Sequence, residues 1–265
     1  MTAGLRVAAF TALLVAIFAA AAIAGNAIDP PADAGPPAHE APAHGAAPAG
    51  QHAALRLAAG DTRLTAGRPS RLDFAILDEH GERLRDFEVE QGRRMHLIVV
   101  RRDLRRFQHL HPTELAPGAW TVTLTLPDAG VYHAFADFQS AGTRRTLGTD
   151  LFAAGVFEPL PLPAPATTAS AGRYGVTLRA DDGELQFAVR RDAAPVRDLQ
   201  PYLGADGHLV MVRAGDLAYE HVHPLQGRRL AFDTAGAPPG RYRLFLQFRH
   251  ADRLHTVAFT HEVTR

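Results

Sequence analysis

The sequence predicts an all-β protein: two tandem immunoglobulin-like β-sandwich domains that follow an N-terminal hydrophobic helix. Three observations support this prediction. Short segments of alternating polarity are separated by turn signals, an internal repeat recurs at a nearly constant spacing, and a Pro-rich stretch separates the two copies. Period-two alternation in short runs is typical of antiparallel sandwiches. Examples are the runs that begin at Leu72, Trp120 and Tyr242.

Residues 1–24 are predicted to be a signal peptide or a transmembrane anchor. Arg6 precedes an uncharged, almost wholly apolar stretch from Val7 to Ala24, and Ala22-Ile23-Ala24 fits a small-residue cleavage site. The stretch is also just long enough to span a bilayer. Cleavage would give a secreted protein, and retention would attach the protein to the cell membrane. Both alternatives place the remaining chain outside the cytoplasm.

Composition divides the rest of the chain into four parts. Residues 25–57 are rich in Ala and Pro and predict a disordered spacer. Residues 58–157 predict the first β-sandwich domain, and residues 168–265 predict the second. Residues 158–167 form a Pro-rich linker between them. Treated as separate units, the two domains should show additive effects of mutation.

An internal duplication relates the two predicted domains. The string MHLIVVRRDLRRFQHLHP, from Met95, matches GHLVMVRAGDLAYEHVHP, from Gly207, at an offset of 112 residues. The segment from Gly130 to Phe138 matches that from Gly240 to Phe248 at an offset of 110. Such matches in register indicate two similar domains rather than a solenoid.

Histidines recur in the duplicated strings and suggest metal ligands. Residues i and i+2 of a strand point to one face, so each His-X-His pair projects two imidazoles together. If the hairpin loop has an even number of residues, the preceding histidine lies on the same face. Three neutral imidazoles could then bind Zn(II) or Cu(II). The predicted metal ligands are His96, His109 and His111 in the first domain and His208, His221 and His223 in the second.

Two further histidines and two methionines bear on the same hypothesis. His133 and His255 are additional candidate ligands, one in each domain. Strand alternation should turn Met95 and Met211 away from the histidines, which favours a divalent ion over Cu(I). A purely structural role for the histidines, as buried hydrogen-bonding groups that pin the hairpins, remains an open alternative.

Composition excludes several functional classes. There is no cysteine, so disulfides and thiolate sites are excluded. The formal net charge is zero, which argues against nucleic-acid binding. Phosphate loops and the common hydrolase motifs are missing from the sequence, so we predict a protein that is not an enzyme.

The two duplicated strings resemble a family of exported actinobacterial proteins described as secreted or heavy-metal-binding. The resemblance covers about residues 60–263. The chain is also loosely similar to YtkA-like and CopC-like sandwich proteins, a likeness that implies copper, with zinc as the second candidate, bound by the six histidines. The resulting hypothesis is an exported envelope protein that binds or buffers a transition metal. The alternative is a structural module that recognises another envelope protein.

Overall fold

A computed structural model describes residues 55–264, apart from the side chains of His221 and His223. The predicted helix at residues 1–24 and most of the predicted spacer lie outside this range. The described part is all-β and contains no helix, as the sequence predicts. A search of residues 55–264 finds no helical segment with the length and apolarity needed to cross a membrane.

The first sandwich contains nine strands in two sheets. The strands are β1 (Arg56–Ala59), β2 (Arg63–Leu64), β3 (Pro69–Leu77), β4 (His96–Arg101), β5 (Gln108–Leu110), β6 (Thr113–Ala116), β7 (Ala119–Thr125), β8 (Gly130–Ser140) and β9 (Thr143–Ala153). One sheet has the order β1-β3-β7-β6, and the other has the order β2-β9-β8-β4-β5. All pairings are antiparallel except the short parallel contact of β2 with β9.

The second sandwich repeats this plan. Its strands are β10 (Thr168–Ala171), β11 (Tyr174–Asp181), β12 (Glu184–Arg191), β13 (Ala194–Pro195), β14 (His208–Arg213), β15 (Tyr219–His221), β16 (His223–Pro224), β17 (Ala231–Asp233), β18 (Gly240–His250) and β19 (Arg253–Val263). One sheet has the order β10-β11-β12-β17-β16, with β13 on β12, and the other has the order β15-β14-β18-β19.

Each sandwich has its own apolar core between its two sheets. In the first, Leu97 and Val99 of β4 pack with Trp120 and Phe138. In the second, Leu209 and Met211 of β14 occupy the corresponding places. These residues alternate along their strands with side chains that point out of the sandwich, as the period of two requires.

A third apolar core joins the two sandwiches, and we call it the interface core. It contains eight buried side chains, four from each sandwich: Ile98, Val100, Leu104, Phe135, Val210, Val212, Leu217 and Phe245. Both faces of the sheets that contain β4 and β14 are therefore covered. This explains why β4 is buried at every position and why its central residues, Leu97 to Val100, are a continuous apolar run rather than an alternating one.

The interface core corrects the expectation that the two domains behave as separate units. Burying an apolar side chain of this size contributes about 1.5–3 kcal/mol before entropic costs, so the shared core holds the sandwiches firmly against each other. The Pro-rich linker packs against the boundary between the two sandwiches. Leu162 contacts the interface core, and the Pro161 carbonyl accepts a hydrogen bond from Arg105. Mutations on the two sides of this boundary should therefore be coupled.

Aromatic stacking across the interface core gives a direct test of this docking. The rings of Phe107 and Phe245 are nearly parallel, with centroids 4.2 Å apart. We expect a double-mutant cycle with Phe107→Ala and Phe245→Ala to give a coupling free energy of about 0.5–1.5 kcal/mol, measured by denaturant unfolding. A cycle that pairs Phe107→Ala with Phe152→Ala, on the exposed outer surface of β9, should give none. Zero coupling in both cycles would contradict the docking.

Candidate metal centre

The hairpin of β4 and β5 brings the three predicted ligands of the first sandwich together. Ile98 pairs with His109 and Leu97 with Leu110, so the hairpin has the even-numbered loop that the hypothesis requires. The same register places His111 across from His96. All three side chains lie on the face that points out of the sandwich, beside the interface core.

The three imidazoles form a compact group, which we call the histidine triad (His96, His109 and His111). One potential ligand nitrogen from each ring lies within 4.8 Å of the other two. His96 Nδ1 and His109 Nε2 are 3.0 Å apart. The ring centroids are separated by 5.2 Å for His96 and His109, 5.1 Å for His96 and His111, and 4.9 Å for His109 and His111.

Hydrogen bonds to neighbouring groups indicate which ring nitrogen carries the hydrogen in neutral His96 and in neutral His109. His96 Nε2 lies 3.3 Å from the carbonyl oxygen of Glu90, which can only accept, so Nε2 carries hydrogen. The amide nitrogen of Gln247 donates to Thr256, and its oxygen accepts from His109 Nδ1 at 2.7 Å. In two neutral rings, His96 Nδ1 and His109 Nε2 would therefore present lone pairs to each other. A cation between or beside them relieves that repulsion.

His111 completes the triad as a half-buried ring. Burial, followed by the nearby His96 and Arg93, lowers the pKa of His111 from its usual 6.5 to about 4. Its Nε2 is buried and has no hydrogen-bond partner among the described residues. His111 is therefore neutral at physiological pH, which is the form that binds metals.

The depressed pKa of His111 predicts a loss of stability in acid. Between pH 6.5 and about 4 the unfolded chain binds a proton that folded His111 does not, so the metal-free protein loses stability as the pH falls through this window. The slope from this residue stays below about 1.4 kcal/mol per pH unit because it binds at most one proton more in the unfolded chain than in the folded one. Urea unfolding between pH 7 and 4.5 should show a shallower dependence for His111→Gln than for wild type. Equal slopes in His111→Gln and wild type would refute the assignment.

The second sandwich places His208 beside the histidine triad. His208 is buried, and its ring centroid lies 4.7 Å from that of His109 and 6.3 Å from that of His96. The backbone of His221 pairs with Val210, which matches the register of the first hairpin. The backbone of His223 pairs with Asp233 of β17, in the other sheet. The side chains of His221 and His223 lie outside the described part, so the second predicted cluster stays a prediction.

The other sequence candidates lie away from this group. Met95 and Met211 are buried in the cores of their own sandwiches, so the prediction that they turn away from the histidines is confirmed. His133 pairs with Asp150 at 2.7 Å. His255 packs on Tyr174 and Phe248, and its Nε2 donates to the carbonyl of His250. Neither His133 nor His255 joins the triad.

Two polar residues of the site were not predicted from the sequence. Gln247 accepts from His109, and Asp137 accepts from the hydroxyl of Tyr219 at 3.2 Å. Burial and then the charge of Asp137 raise the pKa of Tyr219 well above its usual range. Asp137 and Gln247 occupy the same position in the repeat at the offset of 110. The sequence held one signal for these two residues. Each lies five positions after a tyrosine of the same strand, Tyr132 or Tyr242, so strand alternation turns it to the face opposite that tyrosine.

The fold and the site together define a tandem β-sandwich protein with a histidine cluster at the junction of its two sandwiches. The chain belongs to the family described as "Domain of unknown function (DUF8832)", whose model matches residues 50–154 and 169–265. These two matched stretches coincide with the two sandwiches. A comparison with curated proteins gives no match.

Solved structures similar to this chain include bacterial surface proteins. The adhesin FdeC of Escherichia coli is 15% identical, with 77% of this chain and 63% of that chain covered and a TM-score of 0.27. The adhesin InvE of Yersinia pseudotuberculosis is 12% identical, with 79% and 59% covered and a TM-score of 0.25. Domains 5–6 of the S-layer protein SbsC are 12% identical, with 80% and 99% covered and a TM-score of 0.23. The chain thus spans less than two thirds of either adhesin structure, and we draw no functional conclusion from these similarities.

Proposed function

We propose that this protein binds a divalent transition-metal ion, Cu(II) or Zn(II), through His96, His109 and His111. The observation that carries the proposal is the approach of His96 Nδ1 and His109 Nε2 to 3.0 Å beside the ring of His111, whose pKa is lowered to about 4. Imidazole is a preferred ligand of both ions, and no thioether lies at the site to favour Cu(I).

The measured spacings fit a common ion. With metal–nitrogen bonds of about 2.0–2.1 Å, two ligand nitrogens are about 2.9–3.4 Å apart at angles of 90–109°, and their ring centroids are about 4.5–6.4 Å apart for angles from 90° to 180°. The His96–His109 nitrogen pair and all three centroid distances of the triad lie in these windows. The nitrogens lie within 4.8 Å of one another, so metal binding would draw the most separated pair closer together.

The proposed role is binding or buffering outside the cytoplasm rather than catalysis. Export rests on the apolar segment from Val7 to Ala24, with its preceding Arg6. The lack of the common hydrolase motifs in the sequence favours storage or transfer of the ion over substrate activation. Copper is favoured over zinc only by the loose similarity of the chain to YtkA-like and CopC-like copper-associated proteins.

Metal titration of variants tests the proposal. Wild type should bind Cu(II) and Zn(II) in isothermal titration calorimetry and native mass spectrometry, and His109→Ala/His111→Ala should lose the triad site. His133→Ala/His255→Ala removes two histidines outside the triad and should bind like wild type. Weak binding by His39, His44 and His52 forms a background common to all three proteins. Identical titrations in all three proteins would leave the triad as a structural hydrogen-bond network and would favour the protein-interaction alternative.

A further inference from the structure

We infer that the metal centre is built jointly by the two repeats, with His208 as a fourth imidazole and Gln247 as the residue that positions His109. This inference rests on the proposed function and deepens it. The sequence suggests two separate three-histidine sites, one in each domain. The geometry points instead to a site at the junction of the sandwiches, to which the second sandwich contributes directly.

Equivalent contacts across the junction reveal an approximate two-fold relation between the sandwiches. Phe107 stacks on Phe245, and its counterpart Tyr219 contacts Phe135, the counterpart of Phe245, with the two rings tilted by 32°. The four side chains that each sandwich gives to the interface core also come from corresponding strands and turns. In such an isologous arrangement, each surface element meets its own copy at the axis.

His96 and His208 meet in this way and so mark the axis. They occupy the same position of the repeat, both are buried, and their rings are nearly parallel, with an interplanar angle of 12°. The triad therefore lies at the axis rather than on an independent surface of the first sandwich. A ligand held there contacts side chains of both repeats.

Distances place the ring of His208 beside two rings of the triad, although it lies outside the group of three whose nitrogens are within 4.8 Å of one another. Its ring centroid is 4.7 Å from His109 and 6.3 Å from His96. The 4.7 Å separation fits two neighbouring imidazoles on one ion, and the 6.3 Å separation fits two imidazoles on nearly opposite sides of it, as in a tetragonal Cu(II) site. A shift of the His208 ring toward the triad on metal binding supplies the fourth nitrogen of a four-coordinate ion, with His96, His109 and His111 as the other three ligands.

Gln247 connects the second sandwich to a ligand of the first. By accepting from His109 Nδ1 at 2.7 Å, it holds the ring in the tautomer whose Nε2 faces His96 Nδ1. Groups in this role orient metal ligands, and their loss typically lowers metal affinity about 10–100-fold. Gln247 lies on β18 of the second sandwich, so its effect on His109 requires the two sandwiches to be docked.

The test uses the full-length protein with His221→Ala/His223→Ala as the background, which removes the two other predicted ligands of the second repeat. In this background, Zn(II) and Cu(II) should still bind. Addition of His208→Ala should weaken binding at least tenfold and remove one nitrogen from the Cu(II) electron paramagnetic resonance spectrum. Addition of Gln247→Leu should weaken binding 10–100-fold while the number of bound nitrogens is kept. His255→Ala and Gln200→Leu, also in the second sandwich, are the matched controls.

The outcomes separate the two proposals. If wild type binds no ion at the triad, the proposed function fails. If the background binds and neither His208→Ala nor Gln247→Leu changes affinity or spectrum, the shared site is wrong and a site of the first repeat alone is right. Loss of binding in the background itself would assign the ion to His221 and His223 and would also overturn the shared site. His208→Gln replaces His208→Ala if the latter does not give the wild-type circular dichroism spectrum.

Discussion

Arg101→Ala should lower the free energy of unfolding by about 3–5 kcal/mol, because it leaves a buried carboxylate without its partner. The side chains of Arg101 and Asp103 are only 5% and 4% exposed. Two hydrogen bonds join them, from Nε at 2.9 Å and from Nη2 at 2.6 Å. Burial acts to raise the pKa of Asp103, but the hydrogen bonds from Arg101 and the charge of Arg101 outweigh it and hold the pKa below its usual value.

The duplication supplies a matched control for this prediction. Arg213 stands at the same position of the second repeat and makes a similar two-bond pair with Asp216. There the side chains are 25% and 53% exposed, so solvent screens the pair. Arg213→Ala should therefore cost no more than about 1 kcal/mol. Denaturant unfolding of both variants measures the difference, and equal losses would show that the burial of Arg101 has no energetic consequence.

Zinc should raise the free energy of unfolding by about 4 kcal/mol when the free ion is present at 1,000 times its dissociation constant. The triad forms only in the folded chain, where the hairpin register joins His96 to the His109 and His111 pair. An ion that binds the folded state alone stabilises it by mass action. In His109→Ala/His111→Ala the increment should fall close to zero.

Thermal unfolding at several zinc concentrations tests this linkage. Wild type and His133→Ala/His255→Ala should show a midpoint that rises with the logarithm of free zinc. The double variant of the triad should show a midpoint independent of zinc. A midpoint that rises equally in all three proteins would place the stabilising ion elsewhere in the chain.

Local patterns predicted the fold class and the first hairpin because both depend on short-range order. Alternation gave the strands, and the His-X-His spacing together with an even loop put His96, His109 and His111 on one face. Strand alternation alone turned Met95 and Met211 into the sandwich cores. These features require only the pleat and the register of a single hairpin.

The docking of the two sandwiches was not predicted because it depends on long-range packing. One signal was present: Leu97, Ile98, Val99 and Val100 are a continuous apolar run, as are Leu209 to Val212. Such runs indicate strands covered on both faces. Without the docking, His208 and Gln247 could not be placed beside His109, since they are 99 and 138 residues away along the chain.

An anomalous-scattering crystal structure of the zinc-bound protein tests the central claim most directly. Data collected on either side of the zinc absorption edge should show a peak about 2.0–2.1 Å from one imidazole nitrogen each of His96, His109 and His111. Zinc peaks confined to exposed histidines such as His80, with His96 Nδ1 and His109 Nε2 still facing each other and no ion beside them, would contradict it.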